Sequence, residues 1–493
     1  MDGSFRGEGD LSARDRVRTV APPPAIADRA GPAPPRRLPS VEPQRRGIGR
    51  RTGAALLDDV GTVALPDGPS EPDWWQAIQW FRDPVGYVER GAAAHGSIFR
   101  ARLGPTGKVA VIGDPAAIRQ VLDARPEEVR MGDANGLFRP VVGSSSLLLL
   151  DGNEHLRHRR ILLPMFRGAA FQRFLELIRE IADREISALP ERGELPLRRL
   201  FDQIAVAVIF EVMLGPADSR RPALIAAFRA VMALSGSPFT LTPQFRKSLG
   251  GLSPYGRLMR RLAALDRLFL IEIESRRLDP ALADRCDVLS GLIAATDSHG
   301  VGLADRELRD QLMTLLMAGH ETSAAGLSWA VERLRCNQHC LEPLLASVDG
   351  ADKLAYLEAF IRESLRQRPV VGVMVRKLLV TAHLGPYSLP PGWIAMNSIV
   401  LAHRDPGEYP EPERFRPERF LPPVKEMPLW IPFGGGIRRC IGMALAELEM
   451  RVVLRALLSR YLIEPDDRLA AKIGRERFIL VPGDHARCQI SRR

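Results

Sequence analysis

The 493-residue chain has no run of eighteen apolar residues; its most apolar short stretch is the four leucines at 147–150. A bilayer span needs about twenty, so no transmembrane anchor is expected. The N-terminus holds no apolar core of a secretory signal. Cysteine is sparse and odd in number: Cys286, Cys336, Cys340, Cys440 and Cys488. That count argues against a disulfide framework and for a reducing compartment, so a soluble, cytoplasmic protein is expected. Cys336, His339 and Cys340 lie close together but have no second ligand cluster nearby, which argues against a structural metal site. Lysine is nearly absent, with Lys108, Lys247, Lys353, Lys377, Lys425 and Lys472 against a wealth of arginine. The bias points to a GC-rich, bacterial genome. The formal charge is +10, yet the arginines are scattered and no recognition module accompanies them. Nucleic acid is therefore not an expected partner, and an acidic protein fits the charge better.

Composition is otherwise that of a globular chain, 45% hydrophobic and 26% charged, enough for a large core. Residues 1–65 differ. They contain Pro22-Pro23-Pro24 and Pro34-Pro35-Arg36-Arg37, and Phe5 is their only aromatic. Such a segment has little to bury and reads as a disordered Pro/Arg-rich tail. Its acids, Asp2, Glu8, Asp10, Asp15 and Asp28, place a transit peptide below plain disorder. Residues 66–493 form the ordered part.

One stretch organises that part: Pro432-Phe433-Gly434-Gly435-Gly436-Ile437-Arg438-Arg439-Cys440-Ile441-Gly442, followed by an amphipathic pattern from Met443. A glycine-rich loop thus delivers a cysteine to a helix start, where N–H groups and the helix dipole favour the thiolate. Gly434 to Gly436 let the backbone lie flat against something large. Arg438 can pair with an anion on that object. A haem meets all these demands, with Cys440 on the iron and Arg438 on a propionate. The bland alternative is a buried inert cysteine after a turn.

The pattern Phe433-x-x-Gly436-x-Arg438-x-Cys440-x-Gly442 resembles the cysteine-ligand loop of the cytochromes P450. The resemblance extends over about 66–493 and implies the P450 fold, mainly α with small β-sheets and a long central helix over the haem. The implied cofactor is haem b, iron protoporphyrin IX, with a cysteine thiolate axial ligand. Phe433 and Gly442 belong to its binding loop, and N–H groups near Ile441 and Gly442 to the thiolate's hydrogen-bonding shell.

Other segments fall into the same order. Ile98 to Leu103 and Val109 to Ile112 read as a β-hairpin, and Ala116 to Leu122 as a short helix. The loop-like stretch 131–146 corresponds to the family's cap over the distal pocket, nominating Leu137, Phe138, Val141 and Val142 for substrate contact. In the segment after Asp151, His155 and Arg159 share a helix face; the resemblance assigns both to the propionates, while Arg157 and Arg160 point elsewhere, towards a docking surface. Residues 305–335 form a long helical pattern around Met317-Ala318-Gly319-His320-Glu321-Thr322. Ala318 and Gly319 allow close approach of a cofactor, or simply of another helix. A threonine in a helix can bond back to an earlier carbonyl. The resemblance gives Thr322 and Glu321 the catalytic task of managing protons near bound dioxygen.

Glu363-Ser-Leu-Arg366 is by itself a common pair. In the family it lies under the ligand loop with an arginine from a later segment, here Arg414 or Arg416. Arg376 corresponds to a further propionate partner, with His403 another. Val371, Val373, Met374, Leu315, Leu316, Phe478 and Ile479 are the remaining pocket candidates, the last two on a hairpin spanning 477–483.

The implied activity is a haem-thiolate monooxygenase that hydroxylates or epoxidises a lipophilic small molecule, such as a terpenoid, polyketide, steroid or fatty acid, in secondary metabolism. Dioxygen is the co-substrate. The sequence contains no flavin or iron–sulfur domain after Cys440, so ferredoxin and ferredoxin reductase are the expected electron donors, docking near Arg439, Arg157 and Arg160. Alternatives are a peroxide-using or isomerising relative, or a non-catalytic haem carrier or sensor.

Overall fold

The structure, a computed structural model, describes residues 64–103, 107–167, 170–216, 218–236, 240, 246, 253–350, 354–423, 427–465 and 470–493. The tail reading of 1–65 therefore lies almost wholly outside the described residues.

Thirteen helices longer than one turn are described. In chain order they are α1 (Asp73–Arg82), α2 (Pro84–His95), α3 (Pro115–Asp123), α4 (Gly152–Leu162), α5 (Ala170–Ser187), α6 (Arg198–Leu214), α7 (Arg221–Ser235), α8 (Pro254–Arg277), α9 (Val288–Ala294), α10 (Asp305–Cys336), α11 (Leu341–Asp349), α12 (Ala355–Gln367) and α13 (Met443–Leu458). Their starts follow local chemistry. Asp83 accepts from Gly86 N–H ahead of Pro84, and Asp114 accepts from Ala117 N–H ahead of Pro115, so each proline occupies a position that needs no donor. The 73–95 stretch is two helices, because Pro84 opens a new one after Asp83. The 131–146 stretch is not wholly loop: it includes a 3-10 turn, Gly136–Phe138, and a single α-turn, Arg139–Val142.

The strands are β1 (Ile98–Ala101), β2 (Val109–Ile112), β3 (Val129–Arg130), β4 (Arg192–Pro196), β5 (Val373–Leu378), β6 (Ala382–Leu384), β7 (Tyr387–Leu389), β8 (Ile394–Ser398), β9 (Tyr461–Ile463), β10 (Ile473–Glu476), β11 (Ile479–Pro482) and β12 (Arg487–Arg492). The largest sheet has order β1-β2-β8-β5-β3. β1 and β2 pair antiparallel as the hairpin reading predicts, with Phe99 opposite Val111. β2 runs parallel to β8, and β5 antiparallel to it, with Arg376 opposite Ala395. β10 and β11 form a hairpin with Arg477 and Phe478 at its tip.

The main core wraps α10. Leu308, Leu312, Leu316, Leu327 and Trp329 are buried among side chains of α6, α8, α12 and α13. No described helix is long and apolar enough to cross a membrane.

Candidate active site

The cysteine loop begins where Ile431 N–H donates to Nε2 of buried His403, 2.9 Å. Gly434 and Gly436 take φ of 72° and 61°, which only glycine adopts without strain. A Cβ on Gly436 would sit 2.2 Å from the Leu122 carbonyl oxygen at the end of α3. The loop is thus pressed flat onto α3, and Cys440 N–H closes it on the Phe433 carbonyl at 2.9 Å. Cys440 keeps accessible surface although the side chains around it are dense. That combination marks an internal space rather than bulk solvent.

Two sequence expectations change here. Burial pushes the Cys440 thiol up, and the donors and charges that oppose it do not prevail. The N–H groups that favour its thiolate are those of Gly442 and Met443, not Ile441, with Arg159 and Arg439 adding charge. A coordinating metal ion would remove the thiol proton outright.

A cationic cluster accompanies the loop. His155 is 1% exposed, and its Nδ1 has no hydrogen-bond partner among the described residues. Burial, then the charges of Arg438, Arg159 and Arg376, depress its pKa to about 3. Burial lowers Arg376 and Arg438 to about 10, Asp151 opposing in each case. Arg438 reaches Asp151 at 2.5 Å and the carbonyls of Leu150 and Leu147 at 2.6 and 3.2 Å. Arg159 donates to the Arg439 carbonyl at 2.8 Å, and Arg376 to that of Val375 at 2.9 Å. Asp151 also receives the N–H groups of Met131 and Gly132, so it braces the loop instead of capping α4. Arg438 and Arg376 share the Asp151 carboxylate, whereas Arg159 meets the Arg439 carbonyl and the Cys440 sulfur's charge. A partly buried surplus of positive charge with an orphan imidazole nitrogen suits a dianionic ligand, and beside a free thiol it fits a haem.

α10 shows a matching opening. From Leu308 to Arg335, only Met317, Ala318, Gly319 and Thr322 are not buried. Ala318 and Thr322, four residues apart, share one side. Thr322 Oγ1 donates to the Ala318 carbonyl at 2.6 Å, the back-bond expected from sequence. Gly319 serves differently from the cofactor approach expected of it. A Cβ there would lie 2.6 Å from Ile209 Cδ1, so its missing side chain admits α6. Glu321 is 5% exposed and ion-paired with Arg477 at the β10–β11 tip.

The pocket candidates separate. Phe138 and Phe478 meet edge to face, centroids 4.5 Å apart. Leu137 is half-buried, and its carbonyl accepts from Arg246. Met374 rests against the ligand loop, its sulfur 3.2 Å from where a Gly434 Cβ would stand. Val373 packs with the small cluster around Phe99. Leu315 is 8% exposed and Ile479 6%, both within the main core.

Beneath the loop, Glu363 and Arg366 are fully buried and paired at 2.6 Å. Arg366 also donates to the carbonyls of His403 and Pro412, each at 2.8 Å. The third member is Arg419, whose Nε lies 3.2 Å from Glu363. Arg416 contributes only its backbone N–H, while the side chains of Arg414 and Arg416 pair with Glu411. His403 is not a propionate contact: Nδ1 meets the Arg366 carbonyl at 3.1 Å and Nε2 accepts from Ile431. Arg157 is likewise occupied, by Asp297 and Glu307, leaving Arg160 and Arg439 exposed. Sequence reasoning missed Asp151, Arg419 and Arg477; a lone acid or arginine has no local signal until its partner is placed.

A family model described as Cytochrome P450 matches residues 66–485. Cytochrome P450 135B1 of Mycobacterium tuberculosis is 36% identical over 444 residues, covering 88% of this chain and 93% of its own. Cytochrome P450 138 of Mycobacterium bovis is 33% identical over 433 residues, covering 87% and 97%. Among solved structures, retinoic acid bound cyanobacterial CYP120A1 superposes with a TM-score of 0.75 at 24% identity, over 88% of this chain and all of that one. A cytochrome P450 designated CYP102L1 superposes with a TM-score of 0.74 at 22% identity, over 87% and 99%.

Proposed function

The chain belongs to the cytochrome P450 family, and we propose on that premise that it hydroxylates or epoxidises a lipophilic molecule of bacterial secondary metabolism. Membership makes it a haem-thiolate monooxygenase with cysteine-ligated haem b. The observation that carries the site assignment is the surplus of buried positive charge at Arg159, Arg376 and Arg438, with the neutral His155 ring among them, beside the accessible Cys440 thiol. When bound, the haem supplies dioxygen activation.

The chain's own residues do the rest. Cys440 ligates the metal, and the Gly442 and Met443 N–H groups bond its sulfur, which tunes the donor. His155, Arg159 and Arg376 hold the propionates; Arg438 does so while bridging to Asp151. Thr322 spends its hydroxyl proton on Ala318 and so presents lone pairs to the open side of α10. Glu321 is the carboxylate that passes protons inward. Phe138 and Phe478 grip an apolar substrate at the mouth, with Leu137 and Met374 nearby candidates.

A terpenoid, polyketide, steroid or fatty acid suits this apolar lining. Ferredoxin and its reductase are the proposed electron donors, with an acidic ferredoxin meeting exposed Arg439 and Arg160. The test is spectroscopic. The carbon monoxide difference spectrum of the reduced protein should carry the red-shifted band of a haem-thiolate; a band at the position of histidine-ligated haem overturns the assignment. A compound panel scored by low-to-high-spin shift then identifies the substrate class.

A further inference from the structure

Glu321 is a buried carboxylate, and a buried charge needs a partner. Two basic side chains reach it. His320 Nε2 lies 3.3 Å from Oε1. Its Nδ1 meets the Leu316 carbonyl at 2.8 Å and must carry the ring proton there. Burial holds the ring neutral, with a pKa of about 4, so Nε2 is an acceptor and offers Glu321 neither charge nor proton. The pairing therefore rests on Arg477.

Arg477 is an unusual residue to find there. It occupies the hairpin tip with φ of 54°, a left-handed backbone that a non-glycine residue adopts at a cost. Its stem crosses the end of α7: a Cβ on Gly236 would stand 2.2 Å from its Cγ, and Nη1 donates to the Met232 carbonyl at 3.2 Å. The next residue, Phe478, meets Phe138 of the cap edge to face. One tip thus touches the cap with one side chain and the acid of α10 with the other. Arg198 and a second carboxylate, the half-exposed Asp202 on α6, are within electrostatic reach of Arg477, and Asp202 itself faces Arg229 at 3.9 Å.

We infer that Arg477 is a positioning residue that locks Glu321 to the hairpin tip, and that substrate entering between Phe138 and Phe478 shifts it towards Asp202 and frees the acid. The inference rests on the reading of Glu321 as the proton carrier of this site. A paired carboxylate is a poor carrier, so proton delivery becomes conditional on a filled pocket. The tip is a two-state element whose equilibrium substrate biases.

The haem-loaded full chain tests this with 4-phenylimidazole as the probe, titrated by absorption, alongside hydrogen exchange of the 476–479 amides. Opening the tip costs the Arg477–Glu321 pair, so Arg477→Met and Glu321→Gln should each tighten the probe by about fivefold. The double variant should tighten no further, and Arg477→Lys should stay near wild type. Asp202→Asn should act in the opposite direction. Tip exchange should quicken equally in Arg477→Met and Glu321→Gln. Additive effects, or unchanged affinity and exchange in Arg477→Met, overturn the inference. If the wild-type protein gives no imidazole-induced shift, the haem assignment has failed instead. The exchange measurement then still decides the lock, because it needs no cofactor spectrum.

Discussion

Cys440 sits at the end of a loop whose geometry is dictated by missing side chains. Gly436→Ala would drive a Cβ against the Leu122 carbonyl and force a residue at φ 61°, so cofactor incorporation should fall sharply, read as the haem-to-protein absorbance ratio. His155→Leu removes the orphan nitrogen without opening a large cavity. Its haem should dissociate about ten- to a hundredfold faster into apomyoglobin, the loss of one charge-assisted hydrogen bond worth about 1.5–3 kcal/mol. An unchanged rate would remove His155 from the propionate set. Thr322→Ala should shift consumed dioxygen towards hydrogen peroxide while leaving probe affinity near wild type, because the side chain only bonds its own helix.

Among elements, the unit formed by α12 and the 410–420 segment is held by buried charge as well as by the Phe360–Phe415 ring contact, centroids 5.3 Å apart. Glu363 is wholly buried and serves Arg366, Arg419 and the Arg416 N–H. Glu363→Gln leaves two arginines poorly compensated and should destabilise by about 3–5 kcal/mol in denaturant unfolding. Arg416→Ala removes only an exposed pair and should cost less than about 1 kcal/mol. Equal effects would contradict the assignment of Arg419 as third member. This unit also shows what the sequence disclosed and what it hid. The Glu-x-x-Arg spacing and the later Pro-Glu-Arg-Phe were visible, since i and i+3 meet on any helix. Which of three nearby arginines turns inward depends on a 3-10 turn, Pro417–Phe420, that spacing does not report. The hairpins and α10 were legible because period and breakers agreed along the chain. His403 was misread because a histidine near the loop can bond its backbone as readily as a ligand. Arg477 stayed invisible because Glu321 lies 156 positions earlier.

At the scale of the whole molecule, His403 is a titration point inside the fold. Burial lowers its pKa to about 3, with the Arg366 charge adding and the Arg366 carbonyl opposing. The unfolded chain protonates this imidazole near pH 6.5, while the folded one does not until about pH 3. Below pH 6.5 the unfolded state binds more protons, so stability declines as pH falls, by about 1.4 kcal/mol per unit for this one group. His403→Gln should flatten the pH dependence of the unfolding midpoint between pH 6 and 4. An unaltered slope would assign the acid sensitivity elsewhere. The exposed Arg439 frames the other whole-molecule prediction. Arg439→Glu should raise the ferredoxin concentration for half-maximal turnover and weaken its salt dependence; identical salt curves would move the docking face.

The β10–β11 hairpin, just behind its tip, adds a mechanical consequence. Leu480 is fastened twice, its carbonyl to Trp329 Nε1 at 2.9 Å and its N–H to the Val370 carbonyl at 2.8 Å. Trp329 belongs to α10, seven residues beyond Thr322. The hairpin therefore has a fulcrum on the very helix its tip addresses. Phe478 lies two residues out from that anchor, and a chain reaches about 3.4 Å per residue, which limits the stroke to about 7 Å. The lever is short, and a lateral movement of α10 carries its pivot along, so tip and acid travel together unless something lodges between the two phenylalanines.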